Sequence, residues 1–184
     1  MNPNIFFTAD LHYGHKKIIE YCNRPFKTLE EMNEKLIDNW NNIVEIRDIV
    51  YILGDFCWSK TQELELLLRR LKGCKKFLIG SHDDSITKLN DNHPGYFPPL
   101  TIIGHQFTTT IEGTLITLNH YSMRTWPASH YNSWHLFGHS HGHLEPFGKS
   151  FDVGVDTWNF KPVSWNEVKT KMKQMKDNFN LVKK

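Results

Sequence analysis

Cysteine is scarce in this chain, and long apolar runs are missing. The three cysteines, Cys22, Cys57 and Cys74, form no Cys-x-x-Cys pair, and an odd number cannot close completely into internal disulfides. This argues against a disulfide-stapled secreted domain and for a reducing, cytoplasmic setting. No apolar stretch approaches the ~20 residues of a membrane-spanning helix. The opening Met1-Asn2-Pro3-Asn4-Ile5 lacks the basic start and apolar core of a signal peptide. Charge of one sign is not in excess either: 22 Lys and Arg against 20 Asp and Glu leave a net +2. That is too mild to favour nucleic acid or an anionic membrane as a partner. Internal repeats and low-complexity tracts are absent. What is present is a 39% hydrophobic chain of 184 residues, enough for one core. A single domain over 1–184 is expected, with a Lys-rich tail from about 177 to 184 that frays.

The chain alternates buried-type strands with amphipathic helices. Ile5–Ala9 reads as a strand, Lys16–Tyr21 as a short helix, and Thr28 with Glu31 as a capping box. That box opens a helix carrying Met32, Leu36, Ile37 and Trp40. Asp48–Leu53 and Lys75–Ile79 are two further strands, separated by a helix over Thr61–Leu71 that Gly73 closes. After a loop marked by Pro94, Pro98 and Pro99 the chain becomes β-rich. Strands are expected at Leu100–Ile103, Gln106–Ile111, Thr114–Asn119, Trp134–Phe137 and Asp152–Val155, with a hairpin turn at Glu112-Gly113. Ser164 caps a last helix from Trp165 to about Lys176. The expected fold is α/β, with parallel strands joined by helices and then a more antiparallel second sheet.

Residues that bind metals recur just after these strands. Asp10 and His12 follow the first, Asp55 the second and His82-Asp83 the third. His120 follows Thr114–Asn119, and His139 and His141 follow Trp134–Phe137. In open α/β sheets, ligands bind beyond the carboxyl ends of the strands. In an extended segment residues i and i+2 point the same way, so Asp10 with His12, and His139 with His141, can each converge. Mixed carboxylate and imidazole donors suit transition metals better than Ca or Mg. Two carboxylates and four histidines exceed what one tetrahedral ion needs, so two ions sharing an Asp are expected. Gly54, Gly80 and Gly138 each stand just before a candidate residue and permit sharp turns there.

At these residues the chain resembles the calcineurin-like binuclear metallophosphoesterases, as a small single-domain member. The family pattern D-x-H, G-D, G-N-H-D/E, lone His and G-H-x-H reads here as Asp10-Leu11-His12, Gly54-Asp55, Gly80-Ser81-His82-Asp83, His120 and Gly138-His139-Ser140-His141. Asn23–Phe26 and Asp152–Asp156 also look like segments of small members. The resemblance implies a four-layer α/β/β/α sandwich of two mixed sheets flanked by helices. It implies two divalent transition-metal ions (Mn, Fe, Zn or Ni, with Mn favoured). Asp10, His12 and His141 would hold one, His120 and His139 the other, and Asp55 would bridge. A metal-bridging hydroxide would attack a phosphomonoester or phosphodiester, with His82 assisting the leaving group. The family has Asn where this chain has Ser81. A hydroxyl is a shorter and poorer donor, so a weakened second site is expected.

Arg24, Arg124 and His15 are candidate substrate-binding residues: the two guanidinium groups as phosphate grips, His15 as pocket lining. Trp58 and Trp126 are placed to stack on a base, although loop packing is the plainer role. Trp40 and Trp165 read as core, His135 as packed beside its strand, and His93, His105, His130 and His143 as surface. The expected partner is a small phosphate ester or nucleotide, with no membrane and with nucleic acid not favoured. The alternatives are a nuclease, or a metal-binding or catalytically weakened interaction scaffold of the same fold, for which Ser81 gives a foothold.

Overall fold

The computed structural model describes residues 2–92 and 100–182. Pro94, Pro98, Pro99 and His93 lie outside the described residues. The elements run β1 (Ile5–Thr8), α1 (Ile18–Tyr21), α2 (Leu29–Asn41), β2 (Ile49–Leu53), α3 (Thr61–Arg70), β3 (Cys74–Leu78), α4 (Asp84–Asn92), β4 (Leu100–Gly104), β5 (Gln106–Ile111), β6 (Thr114–Asn119), β7 (Trp134–Phe137), β8 (Ser150–Asp152), β9 (Val163–Ser164) and α5 (Trp165–Gln174). Two mixed sheets form, in the orders β4-β3-β2-β1-β9 and β5-β6-β7-β8.

In the first sheet β1, β2, β3 and β4 are mutually parallel, and the short β9 adds to β1 antiparallel. The crossovers carry helices, as apolar parallel strands need cover on both faces. Alternate strand residues go to opposite faces. Phe6, Val50, Ile52 and Phe77 join Leu36, Trp40, Leu64, Leu68 and Leu89 in a core under α2, α3 and α4. Phe7, Tyr51, Leu53 and Leu78 face the second sheet, packing with Ile116, Leu118, Leu136 and Phe151 and with Trp165 and Met172 of α5.

The second sheet departs from expectation. Only the β5–β6 hairpin is antiparallel, while β6–β7 and β7–β8 are parallel. The intervening connections are long enough to return each strand in the same direction, which strand propensity does not reveal. Leu100–Gly104 adds to the first sheet, and Ser150–Asp152 is paired where the sequence suggested Asp152–Val155. The hairpin turn has positive φ at both Glu112 (48°) and Gly113 (79°), the type I′ signature.

Caps follow the sequence with two adjustments. Ser164 and Glu167 form the reciprocal box. Thr28 accepts from Glu31 N, but the Glu31 carboxylate reaches past it to Lys27 N. Helix α3 ends as Leu71 turns extended, and Gly73 takes a positive φ (84°) two residues later. The buried Lys75 ammonium then satisfies the α3 carbonyls of Leu68 and Leu71.

The tail is hydrogen-bonded to the body as far as Val182. Asn178 is buried and donates to Ser129 O and Ser133 O, Asn180 donates to Ser129 Oγ, and Val182 N donates to His130 O. The side-chain amide repeats backbone hydrogen bonding, so a polar sequence is held as firmly as a strand edge.

Candidate metal centre

The parallel strands deliver their carboxyl ends to one crevice, where the loops are zipped together. Asp10 N donates to Gly54 O, His12 N to Asp55 O, and Gly138 N to His120 O. Among the described residues three groups of donor atoms each lie within 4.8 Å: Asp10, His12 and His141; Asp55, His120 and His139; and Cys22, His141 and Asp156, the last built around the Asp156 carboxylate that already pairs with Arg24 and His141. The first two are adjacent. Asp55 Oδ2 lies between them, 3.7 Å from His12 Nε2 and 3.5 Å from His120 Nε2.

The i, i+2 argument needs correction. Asp10, His12, Asp55, His139 and His141 all have left-handed backbone, with φ of 56°, 49°, 53°, 66° and 46°. They converge through kinks rather than strand alternation, and His139 and His141 serve different groups. Non-glycine residues seldom adopt this conformation, and such strain collects at functional sites. Glycines make room beside them. A Cβ on Gly80 would lie 2.4 Å from Asp55 Oδ1, and one on Gly54 2.6 Å from His120 Nδ1.

The neighbours orient the donors. His120 Nδ1 donates to Leu53 O (2.7 Å) and His141 Nδ1 to Asp156 Oδ2 (2.7 Å), which leaves Nε2 of each for a ligand. Ring nitrogens held this way are the usual support of a metal-bound imidazole. Asp10 Oδ2 accepts from His139 N (2.8 Å). Buried Asp10 Oδ1, both His12 ring nitrogens and His120 Nε2 have no hydrogen-bond partner. A protein interior rarely leaves such atoms unpaired, and a divalent transition metal would satisfy them, so the residues present fit such an ion.

The electrostatics agree. Burial pushes the Asp10 carboxyl up to about 7 and holds His12 down to about 3, a neutral imidazole suited to ligation. For Asp55, burial is overcome by the nearby His120 imidazole, the His82 N–H and the His12 ring, so its pKa falls. Burial opposes charging of His120 and His141, yet the surrounding carboxylates raise both. The carboxylates thus favour positive charge at His120 and His141, while burial holds His139, like His12, below the usual imidazole range.

Some residues fall elsewhere than expected. Arg24 is buried and forms a two-pronged pair with Asp156 (2.8 and 2.9 Å). It also donates to Asp10 O, Leu11 O and Met32 Sδ. All five guanidinium N–H groups are thereby used, and they support the Asp10 loop. Arg124 stacks over Phe147 and Phe179, 5.2 Å from each ring centre, and makes no described contact with the metal groups. Trp126 is buried with its N–H on Ser133 O, so it offers no platform. His15 does reach the mouth, stacked on Trp58 at 4.3 Å and 13°. The exposed His82 ring sits 4.6 Å from Trp58. The Ser81 hydroxyl donates to Asp55 Oδ2 (3.0 Å). His135 is buried and neutral, its pKa lowered to about 4 by desolvation.

Sequence reasoning missed several supports. The Asp83 carboxylate accepts from Asp55 N, Phe56 N and Gly80 N, clamping two loops together. Asp152 accepts from Ser140 Oγ, Gly142 N and Gly154 N and so holds the His139–His141 loop. Tyr121 packs edge-on against His120 and His139. Asp83, in the Gly80–Asp83 block, and the Asp152–Asp156 segment carried a sequence signal, and Tyr121 carried none.

No protein-family profile matches the chain. A protein of Methanocaldococcus jannaschii, MJ1445, is 37% identical over 170 residues, which cover 87% of this chain and 86% of that protein. The chain belongs to the MJ1445 family. That relative is described as uncharacterized, so membership establishes kinship and leaves the chemistry to the site. The gene 66 protein of Mycobacterium phage L5 is 33% identical over 93 residues, 49% of this chain and 44% of that protein. Among solved structures, AQ665 of Aquifex aeolicus, a protein of unknown function, superimposes with a TM-score of 0.68 over 92% of this chain and all of that one, at 23% identity. It shares the fold of the MJ1445 family member described here.

Proposed function

We propose that the chain is a metal-dependent phosphoesterase of the calcineurin-like type, its two sheets and helices stacked as a four-layer sandwich. The observation that carries this is the pair of adjacent donor groups meeting at Asp55 Oδ2, with unpaired buried atoms on Asp10, His12 and His120. Asp10, His12 and His141 would hold one divalent ion, and Asp55, His120 and His139 the second, with Asp55 shared and Mn favoured. When bound, such ions acidify water and neutralise phosphate charge. The protein's part is to fix the donors and exclude competing partners. His82, exposed at the mouth beside the shared Asp55, would give a proton to the departing oxygen. Its backbone N–H holds Asp55 Oδ1 (2.9 Å) and so ties it to the centre. Ser81 bonds to Asp55, a contact that supports a weaker second site. The substrate is a small phosphate ester, with a nucleotide favoured over nucleic acid. The three cysteines, free in the structure, support a reducing, cytoplasmic setting.

The test is hydrolysis of bis-p-nitrophenyl phosphate with Mn²⁺, Fe²⁺, Zn²⁺ or Ni²⁺. Asp55→Asn should abolish turnover, and His82→Ala should reduce it by roughly 10²–10⁴-fold, the usual range for general acid catalysis. Ser81→Asn should raise both metal content and rate. A wild-type protein that neither binds metal nor hydrolyses the ester with any of the four would overturn the proposal.

A further inference from the structure

A cleft of about 380 Å³ opens beside His82, within the ~300–1,000 Å³ of ligand pockets. Trp58, Ser81 and His82 line it together with Lys60, Ser85 and Lys88. Two chemistries meet in that lining. The Trp58 indole is 49% exposed and lies parallel against the His15 ring. A flat, immobilised indole is a stacking platform for an aromatic ring. Lys60 and Lys88 of the same lining are both exposed and make no ion pair among the described residues. Asp84 is the one carboxylate of the lining, so the two ammonium groups leave it net positive.

Position assigns the cleft a side of the reaction. In the phosphoesterase reading, on which this inference rests, water forms the new P–O bond, the bond to the alcohol breaks, and the departing oxygen takes a proton from His82. The group that leaves therefore lies on the His82 side, and the cleft begins there. We propose that this cleft is the leaving-group subsite, and that it selects a phosphodiester whose departing alcohol carries a stackable ring and a second phosphate, as a nucleotide does. Trp58 holds the ring, and Lys60 and Lys88 hold the distal phosphate as point charges.

The test uses a dinucleotide with and without a terminal phosphate, with bis-p-nitrophenyl phosphate as the reference ester. In the wild type the terminal phosphate should lower KM by about tenfold, worth about 1.4 kcal/mol. The Lys60→Ala/Lys88→Ala double variant should lose that advantage and keep its rate on the reference ester. Titration calorimetry on EDTA-treated protein reads the cleft without turnover. AMP should bind about tenfold tighter than adenosine, and the double variant should erase the difference. Equal binding of AMP and adenosine, or a double variant that keeps the wild-type preference, would overturn the subsite. Failure of the wild type on the reference ester would instead overturn the phosphoesterase reading, whatever the calorimetry shows.

Discussion

Asp10 illustrates how much a single residue's surroundings decide. Its carboxylate is fully buried, with Oδ2 on His139 N and Oδ1 unpaired. Burial raises its pKa from 3.8 to about 7. The folded chain without metal therefore holds a proton at Asp10 that the unfolded chain has already released between about pH 4 and 7. Linkage then makes metal-free stability fall as pH rises through that window, and the cost stays in place above it. A divalent cation offsets the buried charge, and toward acid it must also displace the protons that His120 and His141, both raised, retain. The increase in Tm on adding Mn²⁺ to EDTA-treated protein should thus be larger at pH 8 than at pH 5.5. A gain independent of pH, or larger in acid, would contradict this account of Asp10. The residue types were legible in the sequence. The unpaired atom was not, because it depends on His139, far along the chain, occupying the other oxygen.

At the scale of elements, the site is a set of strand ends whose loops nearly touch. Gly138, between β7 and His139, shows the tolerance. A Cβ there would sit 2.4 Å from Ala9 Cβ and 2.7 Å from Asp10 Oδ2. The backbone at Gly138 is not left-handed, so alanine is penalised by crowding alone. Gly138→Ala should cost roughly 1–3 kcal/mol in urea denaturation, the range for overpacking. It should also weaken metal binding by about 10–100-fold through displacement of Asp10, as supporting contacts commonly do. Metal content and midpoint both equal to wild type would contradict the contact. The sequence marked this glycine and its place after a strand. It did not mark the left-handed backbone of Asp10, His12, Asp55, His139 and His141, because nothing in those residue types requires it. The tightness of the loop packing imposes it. Asp83 is similar: just before α4, it accepts from Gly80 N of its own loop and from Asp55 N and Phe56 N of the loop after β2, contacts that local sequence does not show.

Across the whole molecule, distant segments are held by polar side chains that act as backbone substitutes. Asn178 joins the tail to the body through Ser129 O, Ser133 O and Lys149 N. Asn178→Ala should lower stability by roughly 2–4 kcal/mol, since it strands buried backbone groups that each cost ~1–3 kcal/mol. It should also speed proteolysis of the tail while leaving metal content intact. Unchanged stability would show that the tail is only laid against the surface. Arg24 works in the same way at the centre, reaching Asp156 across 132 residues. From the sequence the one was expected as a frayed end and the other as a phosphate grip, and neither set of bonds was legible there. Local composition describes what a side chain can bond to, not what the fold brings to it.

The sequence by itself determined the alternation of strands and helices, the helix-capping residues, the hairpin turn, and the order in which Asp and His follow strand ends. These follow from periodicity, capping and turn chemistry, which act over a few residues. The tertiary structure decided the parallel course of β6, β7 and β8, the two donor groups meeting at Asp55, the burial of Arg24 and the cleft from Trp58 to Lys88. Those depend on how two sheets pack and where their loops meet. Such contacts join residues far apart in the chain and are set by the whole core at once.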